Sequence, residues 1–411
     1  MDKRIIKLWL IIILIVSQTV TGYSQFNSSE GWTQFRGFNR SGISNERLPE
    51  IDKPELQFDL IWKKDIGSGF SELIVSEGVV YTMESEQIDS ISGSEFIVAF
   101  DENTGNEIWK SKVDSIYIDV DGWGNGPRST PALDENNIYS FSGCGKLTAN
   151  SKKDGRLIWQ VDFVNVFEST VPRWGNASSP LIIDNKVIME AGGVNSKAFV
   201  AFDKNNGEVL WTSGNGTSSH DSPLLVIIEG QQQIIFVNGS TLYSYNAEGD
   251  TLWTYKMPFR VITAMPVLIG TNRLFVSGVR NPGFFIVEIR ENKVNEVITG
   301  SSMKNDFSSC CYYDGYIYGF HVAALRCISA ETGEVVWTKR GYGKGSLIIV
   351  DDKIFVLSDK GKLVMVDTNP DAYTEIGNIN AINGKSWTAP SFANGKVFVR
   401  NLTEMASFKL N

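Results

Sequence analysis

The stretch "SAETGEVVW" (Ser329–Trp337) is a turn of small and charged residues running into a short apolar strand that ends on tryptophan. The chain repeats this plan. It reads "FDENTGNEIW" at Phe100–Trp109, "NSKKDGRLIW" at Asn150–Trp159, "FDKNNGEVLW" at Phe202–Trp211 and "YNAEGDTLW" at Tyr245–Trp253. With Trp62 as the first mark, the tryptophans recur at intervals of 47, 50, 52 and 42 residues, and Trp337 follows 84 later, room for two units. The skipped unit is "FFIVEIRENKVNEVI", with Val297 or Ile298 in the tryptophan place, and a further one, "LVMVDTNPDAYTEI", puts Ile376 there. That makes eight marks from Trp62 to Ile376.

Around each mark the pattern is four short strands with turn residues between them, as in "SSPLII", "KVIMEA", "AFVAFD" and "GEVLWT". Four strands per 40–50 residues is the signature of a propeller blade. The glycine of the turn supplies positive φ. The tryptophans Trp62, Trp109, Trp159, Trp211, Trp253 and Trp337 are read as structural, packing between neighbouring blades. Trp62 ends a fourth strand that has no first three before it, whereas the C-terminus offers three strands with no fourth. The two ends are therefore expected to complete one blade and close the ring, which removes exposed strand edges. The fold class is all-β: an eight-bladed propeller over residues 59–411.

Composition narrows the partners. The 411 residues carry a net charge of −9 with the acids scattered, which argues against nucleic acid, since phosphate binding needs a basic stripe. Lys3, Arg4 and Lys7 precede an apolar run from Leu8 to Val16, then Gly22 and Ser24. This order is a secretory signal over residues 1–24, and the run is too short to span a bilayer. The expected product is exported, periplasmic or extracellular, soluble and monomeric, with residues 25–58 an irregular lead-in packed on the ring. The first cysteine is Cys144, so no lipid-anchor cysteine follows the signal. Cys144, Cys310, Cys311 and Cys327 match no zinc pattern and read as buried free thiols.

The repeat A-x-D-x-x-T-G-x-x-x-W resembles that of the quinoprotein (PQQ) β-propeller superfamily, over Leu60–Asn411. Outside it, "WTQFRGFNRSGIS" (Trp32–Ser44), "GWGNGPRSTP" (Gly122–Pro131) and "DGYIYGF" (Asp314–Phe320) resemble an exported bacterial branch of PQQ-like propellers. The superfamily's dehydrogenases hold calcium with carboxylate and amide ligands and stack the quinone between a tryptophan and a vicinal disulfide. Cys310-Cys311 invites that comparison. However, "SSCCYY" aligns with "SSPLII", which puts the pair at the start of an inner strand, where neighbours face opposite ways. "DVDGWGNG" (Asp119–Gly126) hints at calcium with two carboxylates.

The long connections between blades gather at one mouth of the central channel, and long loops on a rigid scaffold are where function concentrates. They carry Arg128, Arg173, His220, Arg260, Lys304 and Lys344, with Trp123, Trp174 and Trp387 among them. Two readings of this set stand open. In one it makes a positive mouth that binds an anionic or planar polar ligand. In the other its cations pair with carboxylates such as Asp221 and Asp306 and pin loops. Neither His220 nor His321 sits in a catalytic motif. The function expected is a non-catalytic scaffold or binding module for a protein, glycan or small ligand, with no cofactor and no metal. The alternative is an oxidoreductase dependent on PQQ and calcium. The resemblance also reaches a lipoprotein that assists outer-membrane barrel assembly.

Overall fold

The computed structural model describes residues 31–49, 57–260 and 263–411. The expected signal and the first residues of the lead-in lie outside them. Eight four-stranded antiparallel sheets form the ring. Blades one to seven are built from consecutive strands and begin on Ile74, Ala132, Leu181, Leu224, Val267, Cys311 and Ser346. Blade eight combines Ser391–Ala393, Lys396–Arg400 and Glu404–Leu410 with the N-terminal strand Phe58–Asp65, which pairs Leu60 with Phe408 and Trp62 with Ser407. The two chain ends thus complete one sheet, as the complementary strand deficits require.

The repeated motif has a mechanical cause. The outermost strand bulges by one residue in every blade, immediately before the tryptophan position. The bulged residue turns outward: Ile108, Ile158, Leu210 and Val336 are all exposed. A bulge also blunts the strand edge. The tryptophan turns inward and, except for Trp253, whose indole bonds Gln233 of its own blade, reaches the next blade. The indole N–H donates to the carbonyl of Glu102 from Trp62 (2.8 Å), of Lys152 from Trp109 (3.2 Å), of Lys204 from Trp159 (2.9 Å) and of Ala247 from Trp211 (3.0 Å).

The turn glycine of that next blade lies flat on the ring. A Cβ on Gly155, at φ 72°, would sit 2.5 Å from Trp109, and one on Gly207 would sit 2.7 Å from Trp159. The motif therefore joins glycine and tryptophan across a blade boundary, not only within a blade. Gly155→Ala combines left-handed strain with this clash, so we expect a loss of about 1–3 kcal/mol in chemical denaturation. An unchanged midpoint would refute the packing role of that glycine.

Two marks need adjustment. Ile298, not Val297, takes the tryptophan place in blade five, since it pairs with Ile286 and packs on Gly333. In blade seven the place belongs to Gly377, paired with Met365, and Ile376 is the bulged residue before it. The bulge makes a count along the strand slip by one.

Successive blades are tied at the channel wall by a chain of hydroxyls. The backbone N–H of Glu72 donates to Thr130 Oγ1 (2.9 Å), that of Thr130 to Ser179 Oγ (3.0 Å), that of Ser179 to Ser222 Oγ (2.9 Å) and that of Met265 to Ser309 Oγ (3.0 Å). This is what Thr130, Ser179, Ser222 and Ser309, each just before an innermost strand, do.

Residues 31–49 run inside the ring. Trp32 bridges to Val75 of blade one, the Thr33 carbonyl accepts from Leu133 of blade two, and Ile43 bridges to Ile349 of blade seven. Two arginines of this segment are buried among strand ends. Arg36 donates to the carbonyls of Cys310 (2.6 Å) and Ser41 (2.9 Å). Arg40 donates to those of Ser179 (3.1 Å), Pro223 (2.8 Å) and Pro180. Gly42 is required here: its Cβ would lie 2.6 Å from the Arg36 guanidinium. Glu72, also buried, accepts from the Arg36 N–H (2.8 Å) and the Trp32 indole (3.3 Å).

Candidate functional site

The internal segment floors a cavity of about 300 Å³ at the end of the channel where the interblade connections meet. Phe35, Arg36 and Glu72 form the floor. Phe70, Trp123, Trp174, Phe307 and Trp387 supply walls, with Arg128, His220, Asp119, Asp306 and Lys344 between them. Trp387 is the hub. It stacks on Phe70 at 6.0 Å and meets Trp123 at 5.4 Å and Phe307 at 4.8 Å between ring centroids. The Lys385 ammonium lies 4.8 Å over Trp387 and 5.4 Å over Trp123 while donating to the Trp123 carbonyl (2.8 Å). This cation–π pairing holds the two indoles in place from behind. Across the cavity Trp174 faces His220 at 5.6 Å.

Of the residues chosen from sequence, Arg128, Trp174, His220, Lys344, Trp387 and Trp123 line this cavity, whereas Arg173, Arg260 and Lys304 do not. Arg173 is exposed and forked onto Asp121 (2.6 and 2.9 Å), pulling that carboxyl down to about 2. The same Asp121 accepts from the Trp174 indole (2.8 Å), so Arg173 acts on the cavity by orienting a wall. Arg260 is exposed, and Lys304 reaches Asn281 (2.6 Å). A side chain on a loop has no period to fix its direction, which is why topology alone could not separate these from the others.

Two cations of the mouth are tied to neighbouring groups. Arg128 is buried between Tyr117 and Phe70 and donates to the carbonyls of Gly124 (2.8 Å) and Gly126 (2.5 Å) and to Asp119 (3.4 Å). Lys344 pairs with Asp306. Arg36 lies beside Glu72. Arg128 and Lys344 are thus each answered by a carboxylate, whereas the Arg36 guanidinium is taken up by the carbonyls of Ser41 and Cys310. Asp119 and Asp306 supply the two pairings, while Asp221 pairs with no cation among the described residues. Burial, aided by the Arg128 and Arg260 charges, pushes the His220 imidazole down to about 4, so it is neutral near pH 7. Burial lifts the Glu72 carboxyl to about 7 against the pull of its donors.

The calcium hint in "DVDGWGNG" resolves into two arginine partners: Asp119 goes to Arg128 and the Trp123 N–H, Asp121 to Arg173 and Trp174. Among the described residues no group of three or more His, Cys, Asp or Glu could hold a metal ion. Cys310 and Cys311 enter different core clusters, on opposite faces of their strand, and are free thiols below the cavity floor. The donor set and sulfur platform that PQQ would need are therefore not assembled by these residues. Sequence reasoning missed Phe35, Arg36, Phe70, Glu72 and Phe307. The available signal was position, since Phe70, Glu72 and Phe307 precede innermost strands just as the chosen residues do.

Comparison with known proteins places this geometry. The family model described as "Outer membrane protein assembly factor BamB" matches residues 93–319. Outer membrane protein assembly factor BamB of Shewanella oneidensis is 22% identical over 265 residues, 58% of this chain and 64% of that relative, so just under two thirds of the relative's length is spanned. The crystal structure of BamB from Moraxella catarrhalis superposes with a TM-score of 0.62 at 12% identity, covering 86% of this chain and 98% of its own. A europium-containing methanol dehydrogenase gives 0.67 at 11% identity, with 93% and 98% covered. Likeness at such identities shows the fold alone. The family match, by contrast, spans more than half of the 411 residues on a ring of eight blades, and the chain belongs to this PQQ-like propeller family described by BamB.

Proposed function

We propose that the protein is an exported, non-catalytic binding module whose ligand or partner engages the aromatic cavity at the channel mouth. The observation that carries the reading is the state of the cavity's charged groups. Asp119 pairs with Arg128 and Asp306 with Lys344, and Glu72 is taken up by the Arg36 N–H and the Trp32 indole, so each carboxyl of the lining is engaged rather than free as a base or nucleophile. What remains for a visitor is mainly a set of ring faces with a few neutral polar groups in a preformed hollow, the usual make-up of a recognition site. The relatives' description as assembly factors of outer membrane proteins supports a role in recognition, and the residue 1–24 pattern supports export.

The cavity indoles supply the test. Trp123, Trp174 and Trp387 should report occupancy as a saturable change in fluorescence, absent in Trp387→Ala. With PQQ and calcium added, the purified protein should show no dye-linked alcohol oxidation. Turnover at stoichiometric PQQ would overturn the non-catalytic reading.

A further inference from the structure

We infer that the cavity takes a neutral saccharide, a ligand with an apolar ring face and hydroxyls around its edge. The inference rests on the binding-module reading above and adds the chemical class. Three observations lead to it. First, Arg128 and Lys344 are already paired with Asp119 and Asp306, and the Arg36 guanidinium is spent on the carbonyls of Ser41 and Cys310, so an ionic ligand would have to break one of these contacts to be held. A neutral ligand leaves both pairs intact.

Second, the half-exposed indoles of Trp123 and Trp174 and the rings of Trp387 and Phe307 offer broad apolar faces, which the C–H face of a pyranose covers.

Third, the ring nitrogens of His220 are both buried and make no well-formed hydrogen bond. Both are closed to solvent as the ring stands, so a ligand in the cavity reaches them once the imidazole turns toward it. A neutral imidazole needs one donor and one acceptor. A purely hydrocarbon ring would leave both nitrogens dry, which costs about 1–3 kcal/mol per group. A sugar hydroxyl is donor and acceptor at once. Ser308 and Thr388 hydroxyls line the same cavity and extend the polar edge. The volume lies at the small end of the ~300–1,000 Å³ span of ligand sites, which suits one or two sugar rings rather than a long chain.

The experiment titrates the full exported chain with glucose, N-acetylglucosamine, maltose and cellobiose, following tryptophan fluorescence and calorimetry. Glucuronate and indole serve as the anionic and the purely aromatic comparison. At least one neutral saccharide should bind, and raising salt from about 0.05 to about 0.5 M should leave its affinity unchanged. Trp387→Ala should weaken it by about tenfold or more. His220→Phe keeps a ring and removes the nitrogens, so it should weaken the saccharide by a similar factor while leaving indole unaffected. Melting curves of both variants establish that the ring is intact.

Binding of indole or glucuronate with no response to the neutral sugars overturns the saccharide assignment and leaves the binding cavity standing. So does a His220→Phe variant that binds sugar as well as the parent. If no probe perturbs the cavity tryptophans, both readings fall. A free sugar and a glycan end are told apart by the same variants on immobilised cellulose and chitin: retention of the parent and loss with Trp387→Ala point to the polymer.

Discussion

Arg40→Met should lower stability by about 3–5 kcal/mol, the range for removing one member of a buried charge-bearing network. Three backbone carbonyls, on Ser179, Pro180 and Pro223, lose their donor in the middle of the channel. They belong to the entries of two neighbouring innermost strands, and among the described residues no other side chain donates to them. Methionine keeps most of the volume, so the loss measures donors rather than a cavity. Burial already holds Arg40 down to about 9, with Glu72 the one charge that opposes this, so the guanidinium is retained for its hydrogen bonds despite the cost of desolvation. The melting temperature should fall by about 5 °C, given the unfolding entropy of a chain this long. Arg47→Ala, on an exposed residue of the same segment, should stay within about 0.5 kcal/mol of the parent. If Arg40→Met melts like Arg47→Ala, the segment inside the ring is an ornament and not a tie. Because Phe35 and Arg36 floor the cavity, a true tie also predicts weaker ligand binding in Arg40→Met at temperatures where the ring is still folded.

The ease with which the fold could be read and the difficulty of reading its floor have one origin. A blade announces itself through side chains. The glycine of Gly155 and the indole of Trp109 are both visible as letters, and their contact across a blade boundary is what keeps them in step along the chain. Arg36 and Arg40 announce nothing, because their partners are carbonyls, which every residue has. "WTQFRGFNRSGIS" stood out by resemblance, yet only the geometry reveals that its glycines clear space for Trp32 and for the Arg36 guanidinium. At the mouth, the gathering of Trp123, Trp174, His220 and Trp387 followed from topology, since each precedes an innermost strand. Their pairing did not follow. Asp119 lies nine residues before Arg128 in one loop, but that the loop folds back so that the two meet depends on Asn125 accepting from the Asp119 N–H (2.9 Å). Charge type was legible; charge balance was not.

The buried acids make the fold respond to pH in an unusual direction. Glu72, Glu95 and Glu190 are each pushed up to about 7, chiefly by burial, and Asp221 well above the ordinary range for the same reason, with the neighbouring Glu190 charge adding to it. A carboxyl whose folded value is raised stabilises the fold while both states are protonated, and loses that contribution as pH rises through the folded value. One glutamate lifted from 4.5 to about 7 accordingly stabilises the fold at pH 5 over pH 8 by about 2–3 kcal/mol. His220 acts oppositely. Held down at about 4, it favours the fold above its unfolded value and costs about 2 kcal/mol on going from pH 8 to pH 5. His321, lowered by burial and nearby cations, adds in the same sense. Asp121, at about 2, is ionised throughout this window and drops out. Three glutamates and Asp221 outweigh the two histidines, so guanidinium unfolding should show the protein several kcal/mol more stable at pH 5 than at pH 8. Asp221 carries the clearest single test, because neither of its oxygens has a hydrogen-bond partner among the described residues. Asp221→Asn mimics the protonated acid in shape and has no proton to lose. It should match the parent at pH 5 and exceed it at pH 8. A variant that is weaker at both pH values would mean that the Asp221 carboxylate is ionised and held by partners, and the burial argument for this side of the channel would then be wrong.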